Sequence, residues 1–430
     1  MKYQPIDNNL YIKNRHNFMA KMKPGSLAVF NSNDMYPISA DSTMPFEQAR
    51  DILYLSGVDQ EESILVLFPD APDTKHKEML FLRETNEQIA VWEGAKLTKE
   101  GAVETSGIKS VYWLSEFDKV FYEVMTQVDT IYFNTNEHYR AIIETETRES
   151  RFIKETKDKF PAHSCAKSNP ILQRLRSVKD PIEIDLMQTA CDISEKGFRR
   201  VLAFVKPGVW EFEIEAEYMH EFLGNRSKKF AYTPIIASGN NANVLHYIEN
   251  NQQCNDGDLI LMDVGAEYAN YSSDMTRTIP VNGKFTQRQR EVYDAVNRVK
   301  NAATKMLVPG TYWKEYHVEV GKIMTSELLG LGLLDKADVK NEDPDLPAYK
   351  KYFMHGTSHH MGLDTHDYGL LWEPMQEGNV FTVEPGIYIP EEGFGIRLED
   401  DVVIQKNGDP FNLMRNIPIE SEEIEELMNS

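Results

Sequence analysis

Only three of the 430 residues are cysteine: Cys165, Cys191 and Cys254. An odd number with no close pair excludes a disulfide framework or a CxxC zinc knot and points to reduced thiols in a cytoplasm. Clustered basic charge is also missing. The 46 Lys and Arg face 68 Asp and Glu, giving a net charge of −22. Neither nucleic acid nor an anionic membrane is therefore expected as a partner. No apolar run reaches the ~18 residues of a spanning helix. No apolar run follows the first charges in MKYQPIDNNLYIKNRHNFMA, so no signal peptide is expected. Several catalytic signatures are absent as well: there is no Gly-rich phosphate loop, no G-x-S-x-G elbow and no HExxH. The HEFLG at His220 lacks its second histidine, and no cysteine has the local context of a nucleophile.

What remains is an ordinary globular composition, 41% apolar and 27% charged, long enough for two or three domains. Up to about residue 165, short apolar runs such as SLAVF, SILVLF, EMLFL and TIYF read as strands. They alternate with helical stretches, and this is an α/β domain with little catalytic content. Residues 161–180 carry two prolines and break the pattern, so we place the domains at 1–170 and 171–430. In the second, Asp180, Pro181 and Glu183 form a helix-opening signal, and a long amphipathic helix should run to Pro207-Gly208. Thr286 with Gln289 predicts another. Strands are expected in DLILMDVGAEYAN, DMTRTIPV, NVFTVEPGIYIP and FGIRLEDDVVIQKNG, which makes this half α+β, with helices on a mainly antiparallel sheet.

The carboxylates on these strands are unusual. Leu259–Met262 leads straight into Asp263, and Asp274 follows eleven residues later across a Gly- and Ser-containing turn. A hairpin would bring the two face to face. Glu384 follows Phe381-Thr382-Val383, and Glu399 lies between Ile396, Leu398 and Val402. Strand alternation puts Arg397 and Glu399 on one face, while Asp400 and Asp401 are expected to be solvated. Charges in apolar strands are costly unless paired or bound to metal. Beside them, FMHGTSHHMGLDTHD holds His355, His359, His360 and His366, four of eleven histidines. Its glycines argue for a strand or loop. Oxygen ligands with one or two imidazoles describe a divalent metal site, and four carboxylates are balanced by two ions.

The segments LHYIEN, DVGAEYANYSSDMTRT, HGTSHHMGLDTHD, TVEPGIY and IRLEDD occur in that order. Together they resemble the metallopeptidases of the pita-bread fold, most closely the aminopeptidase P (Xaa-Pro aminopeptidase) group, and the likeness covers most of the chain. It implies a pita-bread catalytic domain behind an α/β accessory domain. It also implies an exopeptidase that releases the N-terminal residue ahead of proline by attack of a hydroxide bridging two divalent metals, most readily Mn2+, with Zn2+ or Co2+ as alternatives. Metal ligands would be Asp263, Asp274, His359, Glu384 and Glu399. Glu384 would also shuttle the proton, His246 and His366 would face the substrate, and Arg397 would orient carboxylates. His355, Tyr388 and, from a neighbouring subunit of a homodimer or homotetramer, Trp92 would line the peptide pocket. His360 would point away from the metals. The chain departs from the family at two positions, His360, where the family often has Trp, and Tyr368, where it often has Val. Neither is a ligand, so only substrate preference is affected. Prolidase, a dipeptidase, and methionine aminopeptidase are the alternative enzymes. A non-catalytic peptide-binding protein on the same fold is the alternative of another class.

Overall fold

A computed structural model describes residues 3–430. The chain divides into two units, Pro5–Leu175 and Arg176–Ser430, the second of which also takes in Tyr3 and Gln4. The helix Asn169–Ser177 spans the division.

The first unit is built on a six-stranded mixed sheet. Its strands are β1 (Ser26–Asn31), β2 (Ile64–Leu67), β3 (Glu78–Leu82), β4 (Ser110–Trp113), β5 (Thr130–Phe133) and β6 (Ser164–Lys167). Their spatial order is β4-β3-β2-β1-β5-β6. The β1–β2 and β2–β3 pairs are antiparallel, and the other three are parallel. β1 and β2 are buried along their whole length, as expected of apolar runs covered on both faces.

In the second unit the capping signals work as read. Asp180 Oδ1 accepts from the Ile182 amide at 2.9 Å, and the Glu183 carboxylate accepts from the Asp180 amide at 2.8 Å. They open helix α1 (Pro181–Phe204), which ends just before Pro207-Gly208. Thr286 and Gln289 exchange the same pair of bonds at the start of α3 (Gln287–Lys305). Helices α2 (Glu211–Gly224) and α4 (Trp313–Gly330) complete the long ones.

The strands beneath them fall into small antiparallel sheets. One joins β7 (Ile235–Ser238), β8 (Leu259–Val264) and β9 (Met275–Pro280). A tight hairpin, Glu267–Tyr268 against Tyr271–Ser272, lies between β8 and β9. Its turn residues Ala269 and Asn270 have φ of 52° and 68°, as a two-residue I′ turn requires. The expected strands 380–389 and 394–403 each break in two. The pieces are β10 (Val380–Val383), β11 (Gly386–Ile389), β12 (Phe394–Arg397) and β13 (Asp400–Val403). β10 pairs with β13, and β11 with β12. The breaks fall at Glu384-Pro385 and Leu398-Glu399. Pro385 has no N–H to give a ladder, and the Glu399 amide bonds instead to the Thr276 carbonyl at 3.0 Å. Arg397 and Glu399 do not share one strand, yet their side chains lie on one side as read, both meeting Thr276 Oγ1, at 3.2 and 2.7 Å. Among the described residues, no helix is long and apolar enough to cross a membrane.

Glu183 has a cost as well as a role. It is buried, and its second oxygen accepts from the Tyr271 hydroxyl at 3.0 Å. Burial lifts its pKa from 4.5 to about 7. The folded protein thus binds this proton more tightly than the unfolded chain. Stability is full below the unfolded value and is lost as pH rises through about 7, by up to roughly 3 kcal/mol. Glu183→Gln keeps a capping acceptor and should remove this slope. Denaturant midpoints at about pH 5 and about pH 8 test it: the variant should gain on the parent at the higher pH, and an equal offset at both values refutes the assignment.

Candidate metal centre

The two ends of the β8–β9 pair place the first carboxylates. Asp263 stands opposite Thr276 in the register, and Asp274 immediately precedes β9. Gly265 permits this closeness, since a Cβ there would lie 1.8 Å from the Ser273 carbonyl oxygen. The Tyr232 hydroxyl sits between the two acids, 2.6 Å from Asp263 Oδ1 and 2.5 Å from Asp274 Oδ1. The strand breaks place the other two. Glu384 leaves β10 with its amide donating to the Thr357 carbonyl at 2.7 Å. Glu399 leaves β12 with its carboxylate accepting from Thr276 Oγ1 at 2.7 Å.

The histidine segment runs beside β10 as an irregular loop. The Thr382 amide donates to the His359 carbonyl at 3.0 Å. His359 is buried, and its Nδ1 donates to its neighbour's carbonyl at 3.1 Å. That bond leaves Nε2 facing Asp274 Oδ2 at 3.3 Å and Glu384 Oε1 at 3.8 Å. Asp274, His359 and Glu399 each offer a donor atom within 4.8 Å of the others. His360 points away and packs on Phe381, ring centres 4.3 Å apart.

This donor set suits a hard divalent cation. A lone-pair nitrogen aimed at two carboxylates is favourable only with positive charge between them. Burial, then the neighbouring acids, hold Glu399 well above the carboxylate range. Asp274 is raised by burial, against the pull of His359, and Glu384 is pushed up to about 7 by burial. Burial would lower the His359 pKa, but Asp274 and Glu384 overcome it and raise it. The protein supplies little countercharge of its own. Arg397 reaches Asp263 Oδ2 with Nη2 at 2.6 Å.

The same arginine starts a second chain of bonds. Its Nη1 donates to the Tyr388 hydroxyl at 2.7 Å, which lies 2.7 Å from His355 Nε2, while His355 Nδ1 donates to the Gly356 carbonyl. Burial and then Arg397 lower the His355 pKa to about 3, so the ring is neutral. His355 Nδ1 is 3.8 Å from Glu384 Oε2. His366 is exposed, its ring edge-on to His359 with centres 4.4 Å apart. His246 is exposed on the segment after β7. Trp92 belongs to the first unit, where its side chain is 84% exposed.

Asp400 and Asp401 correct the sequence reading. Both are buried, not solvated. Asp400 pairs with Arg277 at 2.7 Å and with Lys300, which outweigh burial and hold its carboxyl low. Asp401 Oδ2 accepts from the Asp274 amide at 3.0 Å and from the Cys191 thiol at 3.5 Å. Their signal was the apolar Val402-Val403-Ile404 that follows them. Tyr232 and Thr276 carried no such signal.

Comparison with known proteins places these features in a family. Residues 185–406 match the model of metallopeptidase family M24, and residues 11–132 match that of the aminopeptidase P N-terminal domain. The chain is 35% identical to Xaa-Pro aminopeptidase of Escherichia coli, over 98% of both chains. It is 32% identical to human Xaa-Pro aminopeptidase 3, over 92% of this chain and 79% of that one. Among solved structures it is similar to Pseudomonas aeruginosa aminopeptidase PepP, with TM-score 0.88 and 31% identity, covering 99% of this chain and 98% of that one. It is also similar to zinc-substituted Escherichia coli aminopeptidase P in complex with product, with TM-score 0.86 and 33% identity, covering 99% of both.

The crowding of buried acids sets a test on the metal-free protein. Glu399→Gln removes an acid that burial and its neighbours force to stay protonated. After dialysis against a chelator it should melt several degrees above the parent, yet take up less Mn2+ or Zn2+ by elemental analysis. A variant that melts lower without metal and binds as much with it would remove Glu399 from the centre.

Proposed function

The chain belongs to metallopeptidase family M24, and from that premise we propose that it is a metal-dependent Xaa-Pro aminopeptidase, releasing the N-terminal residue of peptides whose second residue is proline. The observation that carries this reading is the convergence of four carboxylates and one imidazole beside a set of histidines not needed as ligands.

In this proposal Asp263, Asp274, His359, Glu384 and Glu399 hold divalent cations, which when bound polarise the scissile carbonyl and lower the pKa of a water. Two ions are favoured because four carboxylates, Asp274 and Glu399 buried and Asp263 and Glu384 half-buried, face one guanidinium, that of Arg397, among the described residues. The oxygen-rich set suits Mn2+, and Zn2+ or Co2+ compete by affinity.

The protein's own groups do the rest. Glu384 takes a proton from the attacking water and gives it to the departing proline nitrogen. His366 and His246 stabilise the oxyanion that forms. His355, kept neutral by burial and then by Arg397, stands on the proline side. Proline's nitrogen carries no N–H, so ring shape is what a pocket can read there. The acidic surroundings also suit the peptide's free ammonium. Val91 and Trp92, 80% and 84% exposed, support association into a homodimer or homotetramer in which Trp92 closes a neighbour's pocket. The three free cysteines support a cytoplasmic location.

Purified protein should cleave Xaa-Pro-Xaa peptides, lose the activity in EDTA and regain it with Mn2+. Glu384→Gln should lower kcat by about 10²- to 10⁴-fold. Cleavage confined to dipeptides would make the chain an Xaa-Pro dipeptidase. No metal-dependent cleavage of either substrate would leave a peptide-binding protein.

A further inference from the structure

A buried ion cluster lies behind His366, and no step of the proposed reaction uses it. Arg176 Nη2 donates to Asp367 Oδ1 at 2.6 Å and to Asp364 Oδ2 at 2.7 Å. Its guanidinium also lies over the Tyr368 ring, 4.7 Å from the centre. Lys179 Nζ reaches Asp367 Oδ2 at 3.1 Å. The side chains of Arg176, Lys179 and Asp367 are each at most 2% exposed, whereas Asp364 is 43% exposed.

The cluster brackets one residue. Asp364 is two positions before His366, Asp367 one after and Tyr368 two after. Backbone bonds close the same loop, from the Gly362 amide to the Asp364 carbonyl at 3.0 Å and from the Asp367 amide to the His360 carbonyl at 2.9 Å. Space is so short that a Cβ on Gly362 would lie 2.3 Å from Asp367 Oδ2 and 2.7 Å from Lys179 Cε. His366 itself is exposed, with its ring edge against His359. These contacts fix the backbone on both sides of the exposed His366 imidazole.

We propose that Arg176 is a positioning residue for His366. Its Nη2 alone bonds carboxylates on both flanks while the guanidinium face stacks on Tyr368, a stacking that a lysine at the same place cannot reproduce. Lys179 supplies the second positive charge, so that two cations meet two carboxylates. Such an ion group is not by itself a strong source of stability. What it gives is one fixed backbone path through residues 364–368. Tyr368, standing where the resembling family often has valine, adds an aromatic wall to the grip in this chain.

The inference rests on the peptidase reading, and a mutant cycle separates the two. Arg176→Met is made in the parent and in His366→Ala, and kcat and KM are measured on an Xaa-Pro-Xaa peptide. In the parent, kcat should fall about 10- to 100-fold while KM moves less than about threefold. In His366→Ala the same substitution should change kcat by less than about twofold. Equal losses in both backgrounds, or no loss in the parent, overturn the proposal. Should Arg176→Met fail to fold, Asp364→Asn, whose side chain is partly exposed, carries the same cycle with an expected loss of about 3- to 10-fold. Failure of the unmutated protein to cleave the peptide overturns the peptidase reading instead.

Discussion

The second unit is organised around repulsion. Asp263, Asp274, Glu384 and Glu399 converge where little water reaches them, with Asp401 behind the Asp274 amide. Left alone, such a cluster opposes folding, since each carboxylate raises the cost of ionising the next. The surrounding structure can be understood as what makes the cluster tolerable: hydroxyls from Tyr232 and Thr276, one guanidinium from Arg397, and a place for the charge a divalent cation brings.

A second acidic site next to the first shows how differently the same residue type can be handled. Asp400 adjoins Glu399 in sequence but faces Arg277 and Lys300, which make it a fully compensated ion group that ties β13 to β9 and α3. Glu399 has no such cationic partner among the described residues and meets the hydroxyl of Thr276 instead. One residue of chain separates a carboxylate that holds the fold together from one that strains it. The strand break at Leu398-Glu399 makes this possible, because neighbouring side chains leave the regular two-sided alternation.

Much of this was legible in the chain. Helix starts at Asp180 and Thr286 follow from local chemistry, since capping depends on residues three apart. The carboxylates stood out because charge at the end of an apolar run has few explanations. Pairing beyond the local level was not legible. Nothing in the sequence says that Tyr232 meets both Asp263 and Asp274, or that Arg277 takes Asp400 and not an acid of the centre. The two long strands looked continuous because apolar content continues through them. Their breaks depend on where the backbone amides of Glu384 and Glu399 find acceptors, Thr357 and Thr276, far away in sequence. Asp400 and Asp401 were misread for the same reason: their partners lie a hundred or more residues distant.

The small hairpin with its left-handed Ala269-Asn270 turn has a consequence for the order of assembly. It closes Asp263 on Asp274 over a span of eleven residues, a short loop with little closure entropy. Glu384 and Glu399 arrive from more than a hundred residues downstream, by contacts that form late in folding. The chain thus meets most of its electrostatic opposition near the end of its folding path, after the β8–β9 frame exists. A cation held by all four acids, as proposed above, would then act chiefly on the lifetime of the native state, slowing unfolding more than it speeds folding. The turn makes the metal a latch on a finished structure more than a seed for an unfinished one.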